Sequence, residues 1–557
     1  MIKVEAWKPS DGIVLEPNAE IAAKEQQRCI ALTAGPGSGK SELLAQRADF
    51  LLTTGVCRYP KRILAIAFKV DASNNLKERV WRRCGAAYAG RFDSYTFHGL
   101  AKRIVERFRP VLAGADALNS GFKVVAKGKA HPMQTEFKEL IPLAIKILDA
   151  YPAAINAVRQ TYSDVFLDEF QDCTDEQYEL VTRLFKGSGR RLTAVGDVKQ
   201  KIMGWAGALD EVFADFVDDF EALHLNIYRN FRSLPHLLKL QNEIIKVLDP
   251  DSEMPAHLLA GEGGEVHVLS YADCEGEASD LAERIAHWIN VEGVAPAKIA
   301  ILTRIQPEAY CVRLTAELDD WGISYRNENK AQDISTEPIA QVIVDYLLCI
   351  YGLREPKAWT RLTRRIIPVE DDAEGKLKTN WSRYIKEARK SAAADLATKT
   401  FTQRWTLLEE FLAMVGPTLL AGLSYDYESR EHLRELIEEV KKYIDEALVR
   451  EPDLLKALAQ LSDDQSIRIL TVHKSKGLEF DTVVLLGVED QAYFGKDHHE
   501  VQCTFFVGVS RAERRLVVTT ARRRENLGQV NYWKLSRTAQ AEFLGYVNLW
   551  KTHFNCN

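Results

Sequence analysis

Short runs of consecutive apolar residues recur along the chain, each bounded by polar or glycine-rich positions and each followed by a longer amphipathic stretch. The runs are "RILAIAF" near residue 62, "DVFLDEF" near 164, "RLTAVGD" near 191, "KIAILT" near 298, "TVVLLGV" near 482 and "RLVVTTA" near 515. Runs apolar at successive positions suit strands buried on both faces, and the amphipathic stretches between them suit helices that cover those faces. The runs fall into an early and a late group, which predicts an α/β fold with two parallel sheets. Two stretches, roughly 108 to 160 and 353 to 463, lack such runs. The second contains "YESREHLRELIEEVKKYIDEALVR" (residues 427 to 450), a charge-laced amphipathic helix, so both stretches read as helical insertions. The pattern predicts a first α/β domain from 1–107 and 161–222 and a small helical insertion at 108–160. The second α/β domain is expected from 223–352 and 464–557, and a larger helical insertion at 353–463.

One strand-to-helix junction stands apart. In "ALTAGPGSGKSELLAQRADFLL", residues 31 to 52, an apolar run gives way to three glycines and a proline before an amphipathic segment resumes. Gly35, Gly37 and Gly39 can adopt backbone angles closed to other residues, letting successive N–H groups face one anion. Lys40 and Ser41 follow where the dipole of the next helix favours negative charge. The stretch Ala34, Gly35, Pro36, Gly37, Ser38, Gly39, Lys40, Ser41 is a phosphate cradle of the form A-x-x-x-x-G-K-S, with alanine in place of the usual first glycine. A partner for a phosphate-bound Mg²⁺ lies in "VFLDEFQDCTDEQ". There Asp168, at the tip of an apolar strand, can share the ion with Ser41, and Glu169 can activate a water for attack on the γ-phosphorus.

Composition narrows the class. The chain has 557 residues, too many for one core, with 46% hydrophobic and 27% charged residues and a net charge of −6. With no global basic surplus, a nucleic-acid surface would have to be a local groove. The nine cysteines include no C-x-x-C pair, which argues against a zinc ribbon, an iron–sulfur cluster or a disulfide framework. The N-terminal "MIKVEAWKPSDG" lacks a signal-peptide apolar core and no run is long enough to span a bilayer, so a cytoplasmic protein with no membrane partner is expected.

Further motifs follow in order. These are "YTFHGLAKRI" (95–104), "DEFQD" (168–172), "VGDVKQKIMGWAGA" (195–208), "NFRS" (230–233), "TVHKSKGLEFDTVVLLG" (471–487) and "FVGVSRA" (506–512). With the phosphate cradle, this ordered set resembles superfamily 1 helicases of the UvrD, PcrA and Rep type. The resemblance implies two RecA-like P-loop domains with ATP and Mg²⁺ between them, and ATP-driven movement on single-stranded or forked DNA, in the 3′ to 5′ direction.

It also assigns expected roles. Lys40 would bind phosphate, Gln200 would orient water or sense the γ-phosphate, and Arg232 and Arg511 would reach from the second sheet as arginine fingers. Phe231, where the family has tyrosine, would stack on adenine; Glu479 would bind the ribose, with Gly477 beside it among the nucleotide-binding residues. Trp205, Phe68, Thr96, His98 and His473 would line the DNA track. The sequence departs from the family at "FKVDAS" (68–73), at Met203 and at Ala206, and shows no L-N-x-x-Q ahead of the cradle, which weakens the basis for adenine selection. From the short insertions and the short stretch after "SRA", no fused nuclease is expected. These features suggest a partner nuclease subunit, as in Gabija-type anti-phage systems. The alternative function is a DNA-stimulated ATPase or sensor that regulates such a nuclease in defence or repair. A metabolic P-loop kinase would leave Gln200, Trp205 and both arginines without a task.

Overall fold

In the computed structural model the described residues are all except 1, 69, 126–131, 203–208, 210, 328–336, 353–354, 367–373, 399–400, 417–418, 421–422, 424–429, 451, 460–465, 529 and 555–557. The chain forms two compact units. One comprises Met1–Glu265, Phe494–Arg514 and Ala541–Asn557; the other comprises Val266–Tyr493 and Arg515–Gln540.

The first unit is built on a six-stranded sheet of β1 (Ile30–Ala34), β2 (Arg62–Ala67), β3 (Phe92–Thr96), β6 (Tyr162–Leu167), β7 (Arg191–Gly196) and β8 (Leu223–Ile227), in the order β3-β2-β6-β7-β1-β8. Every neighbouring pair is parallel. A parallel sheet brings the carboxyl ends of its strands to one edge, where ligands of such folds bind. The loops after β1, β6, β7 and β8 therefore share an edge. Buried Asp164 on β6 pairs directly across from Arg191 on β7, and the guanidinium grips the carboxylate at 2.7 and 2.8 Å. That fork pins the register of the two strands whose tips carry Glu169 and Gln200, because a slip of one residue would turn the pair to opposite faces.

The expected boundary after residue 222 is corrected here. β8 pairs with β1 along Ile30–Ala34, so the segment following 222 completes the first sheet. Helix Pro235–Leu248, helix His498–Val509 and the C-terminal helix Ala541–Phe554 also belong to this unit, not to the second. β8 escaped the sequence reading because "LHLNI" is only half-buried and lacks a continuous apolar run. The 108–160 stretch is also not purely helical: β4 (Lys123–Val125) and β5 (Gln134–Glu136) form a small parallel pair. The helices Leu140–Ala150 and Pro152–Thr161 pack their apolar faces into the same core as β2 and β6, which makes this stretch part of the first unit's core.

The second unit contains nearly all of the other sheet, in the order β11-β12-β10-β13-β14-β9. Its strands are β9 (Glu265–Tyr271), β10 (Ile299–Thr303), β11 (Tyr325–Asn327), β12 (Ile467–Thr471), β13 (Phe480–Leu485) and β14 (Ala512–Ala521). A helical core spans Ile339 to Leu458, with Tyr346 stacked on Phe411 at 4.0 Å. It takes in helix Pro338–Tyr351, so the helical body begins ahead of the expected residue 353. Within the α/β part, Arg524 is buried between Glu277, at 2.5 and 2.9 Å, and Glu489, at 2.7 Å. Removing one side of a buried ion cluster strands the remaining charges. Arg524→Met is thus expected to destabilise this unit by about 3–5 kcal/mol, read as a lowered unfolding midpoint. An unchanged midpoint would contradict the assignment.

Candidate phosphate and nucleotide site

All five residues of β1 are buried, and the strand ends at Ala34 under the start of the glycine loop. Gly37 and Gly39 hold φ of +69° and +80°, the left-handed region that glycine enters without strain. The loop is tied down at both ends: Ser38 Oγ donates to the Gly35 carbonyl at 2.7 Å, and Lys40 Nζ to the Ala34 carbonyl at 3.2 Å. Helix Lys40–Thr53 then begins with Lys40 and Ser41 in its first turn.

The loop after β8 closes on this turn. The Phe231 amide donates to the Gly37 carbonyl at 2.8 Å. A Cβ on Gly37 would stand 2.5 Å from Arg232 Cβ and 2.6 Å from Asn230 Oδ1. Gly37→Ala must therefore move one loop or the other, and nucleotide affinity is expected to fall at least about tenfold, measured by titration with a fluorescent ATP analogue. Wild-type affinity in that variant would contradict the packing described. Phe231 itself is 61% exposed, with the Arg229 guanidinium 4.7 Å from its ring centre, and its free face is available for stacking.

At the tip of β6, Asp168 is buried and its amide bonds the Ile66 carbonyl at 3.0 Å. Glu169 takes a left-handed φ of +50°, a conformation uncommon for this residue type. Its carboxylate accepts from Gln171 Nε2 at 2.6 Å, and Gln171 Oε1 accepts from the Asp197 amide at 2.9 Å. Gln171 thus links the tips of β6 and β7. Burial, together with the neighbouring Glu169 charge, pushes the Asp168 carboxyl up to about 7 against the pull of Lys40. Two acids so placed call for a cation. A serine hydroxyl and carboxylate oxygens are the hard oxygen ligands Mg²⁺ prefers. Among the described residues no group of three or more His, Cys, Asp or Glu could hold a metal, so a Mg²⁺ at Ser41 and Asp168 would complete its shell with phosphate and water.

Gln200, after β7, donates from Nε2 to Asp197 Oδ2 at 2.8 Å and accepts at Oε1 from Arg511 at 2.7 Å. Arg511, only 1% exposed, also donates to the Val507 carbonyl at 3.0 Å and Ser510 Oγ at 2.8 Å. Arg232 donates to the Ser510 carbonyl at 3.0 Å. The expectation that both arginines come from the second sheet is corrected for Arg232, which follows β8 of the first sheet; Arg511 stands directly before β14 of the second sheet and falls within the first unit. The structure therefore gathers Ala34 to Ser41, Asp168, Glu169, Gln200, Phe231, Arg232 and Arg511 in one unit. Sequence reasoning gave no role to Gln171, Asp197 or Asn230, although all three stand inside quoted motifs. Asn230 Oδ1 accepts from the Arg232 and Ser233 amides at 2.8 and 3.2 Å and so shapes the arginine's loop.

The other expected residues are dispersed. Phe68 follows β2 and is half-buried. Thr96 Oγ1 accepts from the Gly99 amide at 3.1 Å and caps helix Phe97–Phe108. The His98 ring stacks on Phe137 at 4.0 Å, and burial lowers its pKa. His473, Gly477 and Glu479 lie in the second unit between β12 and β13. His473 is 3.4 Å from an Arg304 nitrogen; burial first, then Arg304 and Lys476, lower its pKa to about 4. Gly477 holds φ +90° and Glu479 is exposed. Trp205, Met203 and Ala206 lie outside the described residues. No single helix among the described residues is long and apolar enough to cross a membrane.

Comparison with known families matches the UvrD/REP helicase N-terminal domain over residues 15–129 and 115–221. The UvrD-like helicase C-terminal domain matches over 370–523. Together these matches cover well over half of the chain. DNA helicase II of Escherichia coli (strain K12) is 23% identical over 616 aligned residues, covering 91% of this chain and 84% of that protein. The ATP-dependent DNA helicase PcrA of Bacillus subtilis (strain 168) is 24% identical over 631, covering 93% and 84%. PcrA of Leuconostoc citreum is 23% identical over 611, covering 88% and 80%. A phosphate cradle, paired acids and a glutamine bonded to a buried arginine, found in a chain aligned with these relatives over nine-tenths of its length, place it in the UvrD-type superfamily 1 helicases, a family of ATP-dependent DNA helicases.

Proposed function

We propose that this chain hydrolyses ATP with Mg²⁺ to move 3′ to 5′ along single-stranded DNA and separate duplex ahead of it. The observation that carries the reading is the Gln200–Arg511 hydrogen bond, which joins a polar group of the β7 loop to a buried cation on the edge that bears the phosphate cradle. A Mg²⁺ bound there would neutralise phosphate charge. Lys40 and the loop amides hold the phosphates, with Ser41 and Asp168 as ligands for the ion. Glu169, oriented by Gln171, takes the proton of the attacking water, and Gln200 orients that water. Arg232 and Arg511 stabilise charge developing on the transferred phosphoryl group. Phe231 offers its exposed face to the base, with Glu479 assigned to the ribose and Gly477 to the nucleotide by family resemblance. Phe68, Thr96, His98, Trp205 and His473 are assigned to the strand on the same ground.

The test is steady-state ATPase activity against increasing oligo-dT. Turnover is expected to rise at least about tenfold to a plateau, and Trp205→Ala is expected to weaken the half-saturating concentration by about 1–3 kcal/mol, the usual worth of one stacked base. A flat response to single-stranded and forked DNA would overturn the reading. Strong stimulation without strand separation on short duplexes would favour the sensor that regulates a partner nuclease.

A further inference from the structure

Lys199 stands one residue before Gln200 and is 2% exposed, an unusual place for a lysine. Its Nζ lies 2.9 Å from Asp197 Oδ1 and 3.3 Å from Asp249 Oδ2. The other oxygen of Asp197 accepts from Gln200, whose own oxygen accepts from Arg511. Asp249 follows the C-terminal end of helix Pro235–Leu248. That helix begins just after Arg232 and Ser233, and its Gln241 bonds Asn230 at 3.4 Å and Ser233 at 3.0 Å. Lys199 also lines a small pocket together with Gly35, Pro36, Asn230 and Gln241. A single buried ammonium thus joins the turn that carries Gln200 to the far end of the helix that follows the Arg232 loop. Burying these charges is costly, and the cost is offset only while the cation and both carboxylates stay together, so Lys199 fixes Asp197 and Asp249 relative to each other.

We propose that Lys199 is a positioning residue for ATP hydrolysis, clamping Asp197 to Asp249 so that Gln200 and the Arg232 loop are held in register around the γ-phosphate. The inference rests on the function proposed above. It is tested with Lys199→Met, Lys199→Arg and Asp249→Asn, comparing affinity for a fluorescent ATP analogue, DNA-stimulated kcat and thermal midpoint. Lys199→Met is expected to lower the thermal midpoint, because Asp197 loses its buried cation, and to lower kcat at least about tenfold while nucleotide affinity changes less than about threefold, because the reacting groups lose their orientation and the phosphate loop does not. Lys199→Arg is expected to recover most of that loss, since it restores the cation. Asp249→Asn, altering the partly exposed end of the clamp, should give an intermediate fall in kcat and decides the matter if Lys199→Met does not fold. Unchanged kcat in Lys199→Met or Asp249→Asn would overturn the proposal. So would a joint loss of affinity, kcat and midpoint that arginine does not rescue, which marks a purely structural ion pair. A wild-type protein without DNA-stimulated turnover would instead overturn the proposed function itself.

Discussion

Glu169→Gln is expected to bind ATP with nearly wild-type affinity and to hydrolyse it about 10²- to 10⁴-fold more slowly, the usual worth of a positioned general base. The substitution is close to isosteric. Gln171 Nε2 can still donate, now to the amide oxygen, so the link to the Asp197 amide and the β7 loop survives. Asp168, Ser41 and the loop amides are untouched. What disappears is the carboxylate that accepts the proton of water. The left-handed φ of Glu169 turns this residue out of the strand's extended path, and glutamine tolerates it no worse than glutamate. Single-turnover hydrolysis alongside an equilibrium titration separates binding from chemistry. Turnover within a few-fold of wild type would remove Glu169 from the role of base.

Arg511→Ala carries the other large effect. An arginine that neutralises the transferred phosphoryl group is worth about 10³–10⁵ in turnover. Here the side chain also donates to the Gln200 side chain, the Val507 carbonyl and Ser510 Oγ from a nearly fully buried position. Alanine removes the cation and leaves Gln200 Oε1 without this donor, so a fall in stability is expected beside the fall in kcat. Arg511→Lys separates the two, because an ammonium keeps the charge but cannot span the Val507 carbonyl and Gln200 at once. The expected order of kcat is wild type, then lysine, then alanine, with nucleotide affinity changing far less than turnover. Equal kcat for all three would show that Arg511 is a purely structural donor.

Much of this site was legible in the sequence because its chemistry is local. The phosphate loop needs glycines at fixed offsets before a lysine, and "GPGSGKS" states that requirement in seven letters. The apolar runs around Asp168 and Asp197 announced buried strands, and their observed order brings both tips to one edge. What remained hidden depends on pairing between distant segments. β8 carries no continuous apolar run, so its place beside β1, which puts Arg232 next to Gly37, could be found only by folding the chain. Arg511 lies 311 positions from Gln200, and nothing in spacing alone assigns it to the first unit. Gln171 was visible as a letter of a motif, but its role as a bridge arises from a side chain reaching across strands. Thr96, assigned to the DNA track by resemblance, also caps helix Phe97–Phe108 by accepting from the Gly99 amide, a second task its spacing did not announce.

The most direct test of the account is displacement of streptavidin from a biotin placed at either end of a single-stranded oligonucleotide, with ATP and Mg²⁺ supplied. A motor moving 3′ to 5′ is expected to strip streptavidin from the 5′ end at a rate that Glu169→Gln abolishes, and to leave the 3′ block in place. Displacement from the 3′ end alone would reverse the assigned direction. Rapid ATP hydrolysis with no displacement from either end would contradict the claim that this site drives movement along DNA.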